Sequence, residues 1–93
     1  MRYFRRPWDE SRGDEYDSWG TCLYFVAVDD QGDAHEQIEV YANGNVLAYD
    51  HEYEEDPFGG LTYATLDLEE FGPYEVTERE FRKELAGLRP LNR

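Results

Sequence analysis

The stretch Gln37–Asp50, QIEVYANGNVLAYD, determines most of what the sequence predicts about the fold. It contains two runs rich in apolar and β-branched residues, one on each side of Asn43 and Gly44. An Asn-Gly dipeptide between such runs is the strongest short-range signal for a β-hairpin. The stretch therefore predicts two antiparallel strands joined by a tight turn.

A two-residue turn at Asn43-Gly44 also predicts the register of this hairpin. Val40 then lies opposite Leu47, and Ile38 lies opposite Tyr49. Because side chains alternate along a strand, these four residues share one face, and a shift of one residue would mix the two faces. The other face carries Gln37, Glu39, Tyr41, Val46, Ala48 and Asp50.

Upstream of the hairpin, Trp19–Asp29 is apolar at alternate and intervening positions, which is typical of a central strand covered on both faces. The residues Arg2–Arg6 favour an edge strand, and Asp9–Ser18 reads as a loop within a flexible N-terminal segment 1–18. Gly32 is expected to adopt a positive φ in the loop that ends the central strand.

Downstream, Glu54–Gly60 is predicted to be a loop because of its proline and paired glycines, and Leu61–Leu68 alternates as a short strand does. Tyr74–Val76 is a brief strand or an extended lead-in. The next segment carries helix signals: Thr77 as N-cap with Glu80 three residues later forms a capping box, and Gly87 supplies the C-terminal stop.

These elements predict one α+β domain spanning residues 1–93, with the sheet in 19–76 and the helix in 77–87. The sheet is expected to be antiparallel, with about four to five strands and the C-terminal helix packed on one face. A chain of 93 residues has room for only one hydrophobic core. Its 16% aromatic content supplies the buried area to fold despite a net charge of −13.

The charge is unevenly distributed along the chain. All nine basic residues lie in the first 12 or the last 15 positions, and the stretch from Gly13 to Glu78 contains no Lys or Arg. That stretch carries eighteen carboxylates. Such a field favours solubility alone or attraction of a basic partner, and it disfavours binding to nucleic acid.

The residues give little indication of catalysis, so the sequence predicts a non-enzymatic protein without cofactor or metal. No phosphate-binding loop or nucleophile elbow occurs. If Asp50-His51-Glu52 lies in a strand, the two carboxylates point away from His51, which argues against a metal site. Cys22 lies in an apolar run as a core residue does, and a single cysteine cannot form an intrachain disulfide.

No apolar run approaches the roughly 20 residues of a membrane-spanning helix, and the N-terminus lacks the apolar region of a signal peptide. A cytoplasmic protein without membrane contact is expected.

The chain resembles a group of small, uncharacterised bacterial proteins. The matching features are the hairpin described above, GGL at Gly59–Leu61, LDLEEF at Leu66–Phe71 and PYEVTEREF at Pro73–Phe81. They cover roughly the C-terminal two-thirds, and residues 1–18 lie outside them. Similar small acidic sheet-plus-helix proteins occur among bacterial toxin-immunity proteins, so the resemblance implies an immunity role.

The leading functional hypothesis is an acidic binding protein, for example an immunity protein or inhibitor that neutralises a basic partner such as a nuclease toxin. The alternative is a structural domain that self-associates through sheet edges or aromatic surfaces, so a monomer and a homodimer are both expected states. Aromatic residues able to act as anchors are Tyr24, Tyr41, Tyr53, Phe58, Tyr63 and Tyr74. The predicted contact residues combine the acidic loops with two of these anchors. They are Asp29, Asp30, Asp33, Asp50, Glu52, Glu54, Glu55, Asp56, Tyr53 and Phe58.

Overall fold

The computed structural model describes residues Met1–Arg93 and confirms the α+β class. A five-stranded antiparallel sheet is accompanied by a second sheet of two very short strands and by two short helices. Neither helix has the length and apolar character needed to cross a membrane. The elements are β1 Arg2–Trp8, β2 Cys22–Val28, β3 Ala34–Tyr41, β4 Val46–Asp50, β5 Glu55–Asp56, β6 Gly59–Gly60, α1 Leu68–Phe71, β7 Glu75–Val76 and α2 Glu78–Leu85.

The large sheet has the strand order β4-β3-β2-β1-β7, so β2 is central, as its continuous apolar sequence predicts. The prediction of an edge strand at the N-terminus is wrong. β1 pairs with β2 along its whole length and with β7 through Tyr3 and Phe4. The apolar residues Tyr3 and Phe4 are buried, which is compatible with an internal strand rather than a solvated edge.

The hairpin between β3 and β4 is confirmed, but the predicted register is wrong by one residue. Val40 pairs with Val46, and Ile38 pairs with Ala48. The loop has three residues, closed by a 2.9 Å hydrogen bond from the Gly44 N–H to the Tyr41 carbonyl. A two-residue type I′ turn needs positive φ at both central positions. Only Gly44 has one, at +94°, and this geometry is that of a type I turn followed by a glycine bulge.

Two further expectations between Glu54 and Leu68 are wrong. Glu54–Gly60, expected to be a loop, contains the β5–β6 ladder, in which Glu55 pairs with Gly60. Leu61–Leu68, expected to be a strand, joins no sheet, and α1 begins at its last residue. Asp67 caps α1 by accepting a 2.9 Å hydrogen bond from the Glu69 N–H, so local capping replaces strand pairing at this position.

The capping chemistry of the C-terminal helix is confirmed. The Thr77 hydroxyl accepts from the Glu80 N–H at 3.1 Å, and the Glu80 carboxylate accepts from the Thr77 N–H at 3.1 Å. The second bond holds the pKa of Glu80 below its usual value. Gly87 has a φ of +85°, as expected of the residue after a helix end. The helix is shorter than the predicted range 77–87, because Ala86 already has extended dihedrals.

The two faces of the sheet are covered by different kinds of structure. We call one the loop face, because the segments 9–21 and 53–74 lie over it. Its buried cluster joins sheet residues to residues of these segments, namely Phe4, Val26, Val28, Ala34, Tyr41, Leu47, Tyr49, Leu61 and Phe71.

The other is the helix face, on which Tyr3, Phe25 and Ala27 form a buried cluster with Phe81 of α2. The Phe81 ring lies 5.0 Å from the Tyr3 ring and 6.1 Å from the Phe25 ring, and Phe81 is fully buried. Leu85, one turn later, also contacts this cluster.

The two edges of the sheet differ. At one edge, residues 91 and 92 lie along β4: the Leu91 N–H donates to the Val46 carbonyl at 2.7 Å, and the Asn92 side chain bonds both the N–H and the carbonyl of Ala48. At the other edge, β7 has two residues and pairs only with Tyr3 and Phe4, so the outer side of Arg5–Trp8 has no strand partner. A covered or short edge is less prone to pair with another chain.

Candidate binding site at the acidic end of the sheet

Two predicted acidic loops lie at the same end of the sheet. The turn after β2 and the end of β4 meet there, because Val28 pairs with Ala34 and Glu36 pairs with Asp50. We call this region, Asp29–Asp33 together with Asp50–Asp56, the acidic end. The structure thus brings the predicted carboxylates into one region, although sixteen residues separate the two segments in the chain.

Within the acidic end, five carboxylates are exposed and form no ion pair with an arginine or lysine. Four of them have no cationic side chain within 4 Å, and Glu54 contacts only His51, at 3.5 Å. Acidic groups held close together without counterions produce a field that attracts cationic partners. The five are Asp30, Asp33, Glu52, Glu54 and Glu55.

Two of the predicted contact residues instead support their own turns. The Asp29 carboxylate accepts from the N–H groups of Gln31 and Asp33, both at 3.0 Å. The hydrogen bond with the His35 side chain, together with these backbone bonds, lowers the pKa of Asp29 below its usual value. Asp50 accepts from the N–H groups of Glu52 and Tyr53, both at 2.9 Å, and faces the Arg93 guanidinium at 3.4 Å. Neither carboxylate is free to bind a partner without loosening its turn.

Asp56 has a similar internal role at the start of the β5–β6 hairpin. It accepts hydrogen bonds from the Tyr49 hydroxyl and the Asn92 amide, both at 2.9 Å, and from the Phe58 N–H. Burial raises the pKa of Asp56, but the hydrogen bonds from Asn92 and Tyr49 outweigh it and leave the pKa lowered. Asp56 therefore holds the second sheet, the core and the chain end together.

The two predicted aromatic anchors are half-buried. Tyr53 stacks on Tyr49 at 6.3 Å, with the Arg93 guanidinium 5.0 Å from its ring. Phe58 packs against the rings of Tyr16 and Trp19, which also contact each other. Each of them offers a partner only part of its surface.

Tyr63, one of the aromatic residues that the sequence offers as anchors, is 80% exposed. Two residues later, the Thr65 hydroxyl donates to the Asp33 carboxylate at 2.8 Å and ties this segment to the acidic end. The segment joins no sheet, contrary to the predicted strand, so no neighbouring strand covers the ring.

The terminal cations fold back onto the rest of the molecule. Six of the eight arginines form ion pairs with carboxylates, five of them with acids of the central stretch. The strongest geometry is that of Arg82, whose two Nη atoms each donate to Glu36 at 2.7 Å. Internal pairing therefore neutralises parts of the acidic stretch selectively and leaves the acidic end mostly uncompensated.

Two histidines meet at the acidic end. His35 Nδ1 lies 3.0 Å from His51 Nε2, and His35 Nε2 lies 3.0 Å from an Asp29 oxygen. The assumption that His51 continues a strand is wrong, because the chain turns at His51-Glu52 before an isolated bridge joins Asp50 to Tyr53. No group of three or more His, Cys, Asp or Glu side chains is arranged around one point as a metal centre.

A concavity of about 660 Å³ lies on the loop face, with the Cys22 thiol and the Glu39 carboxylate among its lining groups. Burial, and secondarily Glu39, raises the pKa of Cys22 to about 12, so the thiol is protonated at neutral pH. Glu39 accepts hydrogen bonds from Gln37 and from the Tyr41 hydroxyl. These groups hold one another in place, and no nucleophile with an adjacent base is present among them.

Comparisons of the chain with known protein families, with curated proteins and with solved structures found no match.

Proposed function

We propose that this protein binds a basic protein partner through the acidic end, and that it acts stoichiometrically, as an immunity protein or inhibitor does. A nuclease toxin is a suitable class of partner, because a surface that binds nucleic acid is itself basic. The observation that carries the proposal is the set of five exposed carboxylates without an arginine or lysine partner, in a chain that pairs five of its eight arginines outside the acidic end and only Arg93 within it.

The free energy of binding would come from two kinds of contact. The uncompensated carboxylates raise the association rate and select for a basic surface. Aromatic residues often contribute most to an interface, and the exposed Tyr63 belongs to the segment that Thr65 ties to Asp33.

Two triple variants with equal net charge test the proposal. Asp30→Asn/Glu52→Gln/Glu55→Gln removes three charges from the acidic end. The matched control, Asp9→Asn/Glu10→Gln/Glu15→Gln, removes three exposed charges from the segment that follows β1, at the opposite end of the sheet. The native complex is isolated from the source organism at low salt, the partner is identified by mass spectrometry, and its Kd for each variant is measured by biolayer interferometry.

The expected result is a basic partner whose affinity falls at least tenfold for the acidic-end variant and less than threefold for the control. Equal losses for both variants would show that net charge alone governs binding. An acidic partner, or an unchanged Kd for the acidic-end variant, would refute the proposed surface.

A further inference from the structure

We infer that the facing ring nitrogens of His35 and His51 form a binding site for a divalent transition-metal ion, in which His35 Nδ1 and His51 Nε2 are the two protein ligands. This inference does not depend on the proposed partner. It contradicts the expectation from the sequence that no metal is bound, because that expectation rested on a strand that does not form at His51.

The backbone positions both rings before any ion binds. The pairing of β2 with β3 shifts between Ala27 and Val28, so Ala27 faces Glu36, Val28 faces Ala34, and His35 is the extra residue of a β-bulge. A bulge redirects the side chain of its extra residue. His51 lies in the turn that Asp50 holds by accepting from two backbone N–H groups.

The outer nitrogen of each ring faces a carboxylate. His35 Nε2 is 3.0 Å from Asp29, and His51 Nδ1 is 3.5 Å from Glu54. A carboxylate accepts only, so it favours the tautomer that carries the proton on the outer nitrogen. Both inner nitrogens then present lone pairs to the same gap, 3.0 Å apart. Histidine ligands of metals usually have such a carboxylate on the second nitrogen, which orients the ring and raises its basicity.

The separation of the two nitrogens indicates the geometry of the ion. With metal–nitrogen bonds of about 2.0–2.1 Å, a 3.0 Å separation corresponds to an angle of roughly 95° at the metal. That angle fits the tetragonal geometry of Cu²⁺ or Ni²⁺ better than the tetrahedral geometry of Zn²⁺. Since no third histidine, cysteine or carboxylate completes the set, water would occupy the remaining positions. The exposed Asp30 and Glu52 would raise the local cation concentration.

The site is tested by titrating the full chain with NiCl₂ at pH 7.5 and measuring the binding by isothermal titration calorimetry. We expect one Ni²⁺ per chain in the wild type and at least a tenfold weaker Kd in His35→Gln and in His51→Gln. The control Glu52→Gln removes an adjacent charge and no ligand, so its Kd should change less than threefold. Circular dichroism of each variant establishes that it is folded.

The Asp29→Asn variant tests the role of the tautomer separately. The asparagine oxygen still accepts from the turn, whereas its amide would donate to His35 Nε2 and move the ring proton into the gap. We expect at least a tenfold loss of Ni²⁺ affinity with the fold unchanged.

Electron paramagnetic resonance of the Cu²⁺-loaded chain should show coupling to two imidazole nitrogens. The inference is overturned if Ni²⁺ binding is absent or if it survives both histidine variants. It is also overturned if the loss is as large in Glu52→Gln, which indicates diffuse carboxylate binding, or if nitrogen coupling is missing. Nuclear magnetic resonance of the ring nitrogens provides a last check. A proton shared between His35 Nδ1 and His51 Nε2, with no uptake of metal, would also overturn the inference.

Discussion

The two faces of the sheet are stabilised in different ways. On the helix face, one element supplies the cover, and its buried contact is concentrated in Phe81. On the loop face, the cover is irregular chain, held by dispersed aromatic contacts and by hydrogen bonds between side chains and backbone. Gln37 donates to the Gly60 carbonyl and accepts from the Thr62 N–H, and Asp56 accepts from the N–H groups of Phe58 and Gly59. A buried side chain stabilises the fold through the volume it fills in its cluster. A loop is held in place when its individual hydrogen-bond donors and acceptors find partners.

The buried polar groups of the loop face have hydrogen-bond partners, with one exception. Gln37 is 5% exposed, yet its amide donates to the Gly60 carbonyl and to Glu39, and its oxygen accepts from the Thr62 N–H. The single buried side-chain atom without a partner is Arg6 Nη1, and that guanidinium lies over the rings of Trp8, Phe71 and Tyr74. On one face of this small sheet, loops held by specific hydrogen bonds therefore take the place of a second covering helix.

The largest effect is expected from Phe81→Ala, which also tests whether α2 depends on this contact with the sheet. Removing a fully buried aromatic side chain costs about 3–5 kcal/mol. Urea denaturation followed by circular dichroism measures the loss. Phe81→Leu retains most of the buried volume and should cost clearly less. A loss below about 1 kcal/mol for the alanine variant would mean that the helix contributes little to stability.

A smaller effect is expected from Gly32→Ala, which tests how tightly the loop cover is seated. Gly32 has a φ of +93°, and a Cβ there would lie 2.5 Å from the Leu66 carbonyl oxygen. Gly44→Ala is the matched control, because its φ is +94° and nothing lies within 4 Å of the added carbon. Both variants pay the left-handed backbone strain, about 1 kcal/mol. The steric clash should add about 1–3 kcal/mol to Gly32→Ala alone. If both variants lose the same unfolding free energy in urea denaturation, segment 62–67 moves aside to accommodate the added Cβ without a measurable cost.

Gln37→Met should cost about 1–2 kcal/mol, because it keeps the volume but leaves the Thr62 N–H and the Gly60 carbonyl without their partner. Urea denaturation gives the total, and hydrogen exchange at Thr62 gives the local effect. Gln31→Met, at an exposed position, is the control and should be nearly neutral. Unchanged exchange at Thr62 would show that this hydrogen bond does not hold the loop.

The smallest effect is a pH dependence at Asp56. Because the folded pKa of this carboxyl is lowered, its ionised form contributes stability at pH values above the unfolded pKa of about 3.9. That contribution is lost as the pH falls through the folded pKa. The difference in unfolding free energy between the wild type and Asp56→Asn should therefore be larger at pH 6 than at pH 2.5.

Glu55→Gln, which removes a charge from the same strand without a hydrogen bond to lose, is the control for the Asp56 experiment. Urea midpoints at the two pH values provide the measurement. A difference that stays constant with pH for Asp56→Asn would mean that the hydrogen bonds from Tyr49 and Asn92 do not depend on its charge.

Features that depend on neighbouring residues were predictable from the sequence. The capping box at Thr77 and the glycine after the helix follow from backbone chemistry within a few positions. The apolar centre of β2 predicted its central place, since a strand covered on both faces must be apolar on both. The acidic residues of the two segments were visible in the sequence, whereas the strand pairing that brings the segments to the same end is seen in the structure.

The hairpin register depended on more than its turn. Asn-Gly fits a two-residue turn as well as a type I turn with a glycine bulge. The observed register puts Leu47 and Tyr49 on the loop face, where they are 0% and 1% exposed and where Tyr49 reaches Asp56. Burial under a loop that follows in sequence decides between the two turns, and the hairpin sequence does not show where that loop will lie.

The sequence by itself therefore determined the α+β class, the boundaries of the C-terminal helix to within two residues and the uneven distribution of charge. Only the tertiary structure decided which carboxylates stay exposed, which ones hold turns, and that His35 meets His51. The physical reason is the range of the interactions. Caps and strand patterns involve residues a few positions apart, whereas ion pairs, bulges and loop covers depend on groups that only the folded chain brings together.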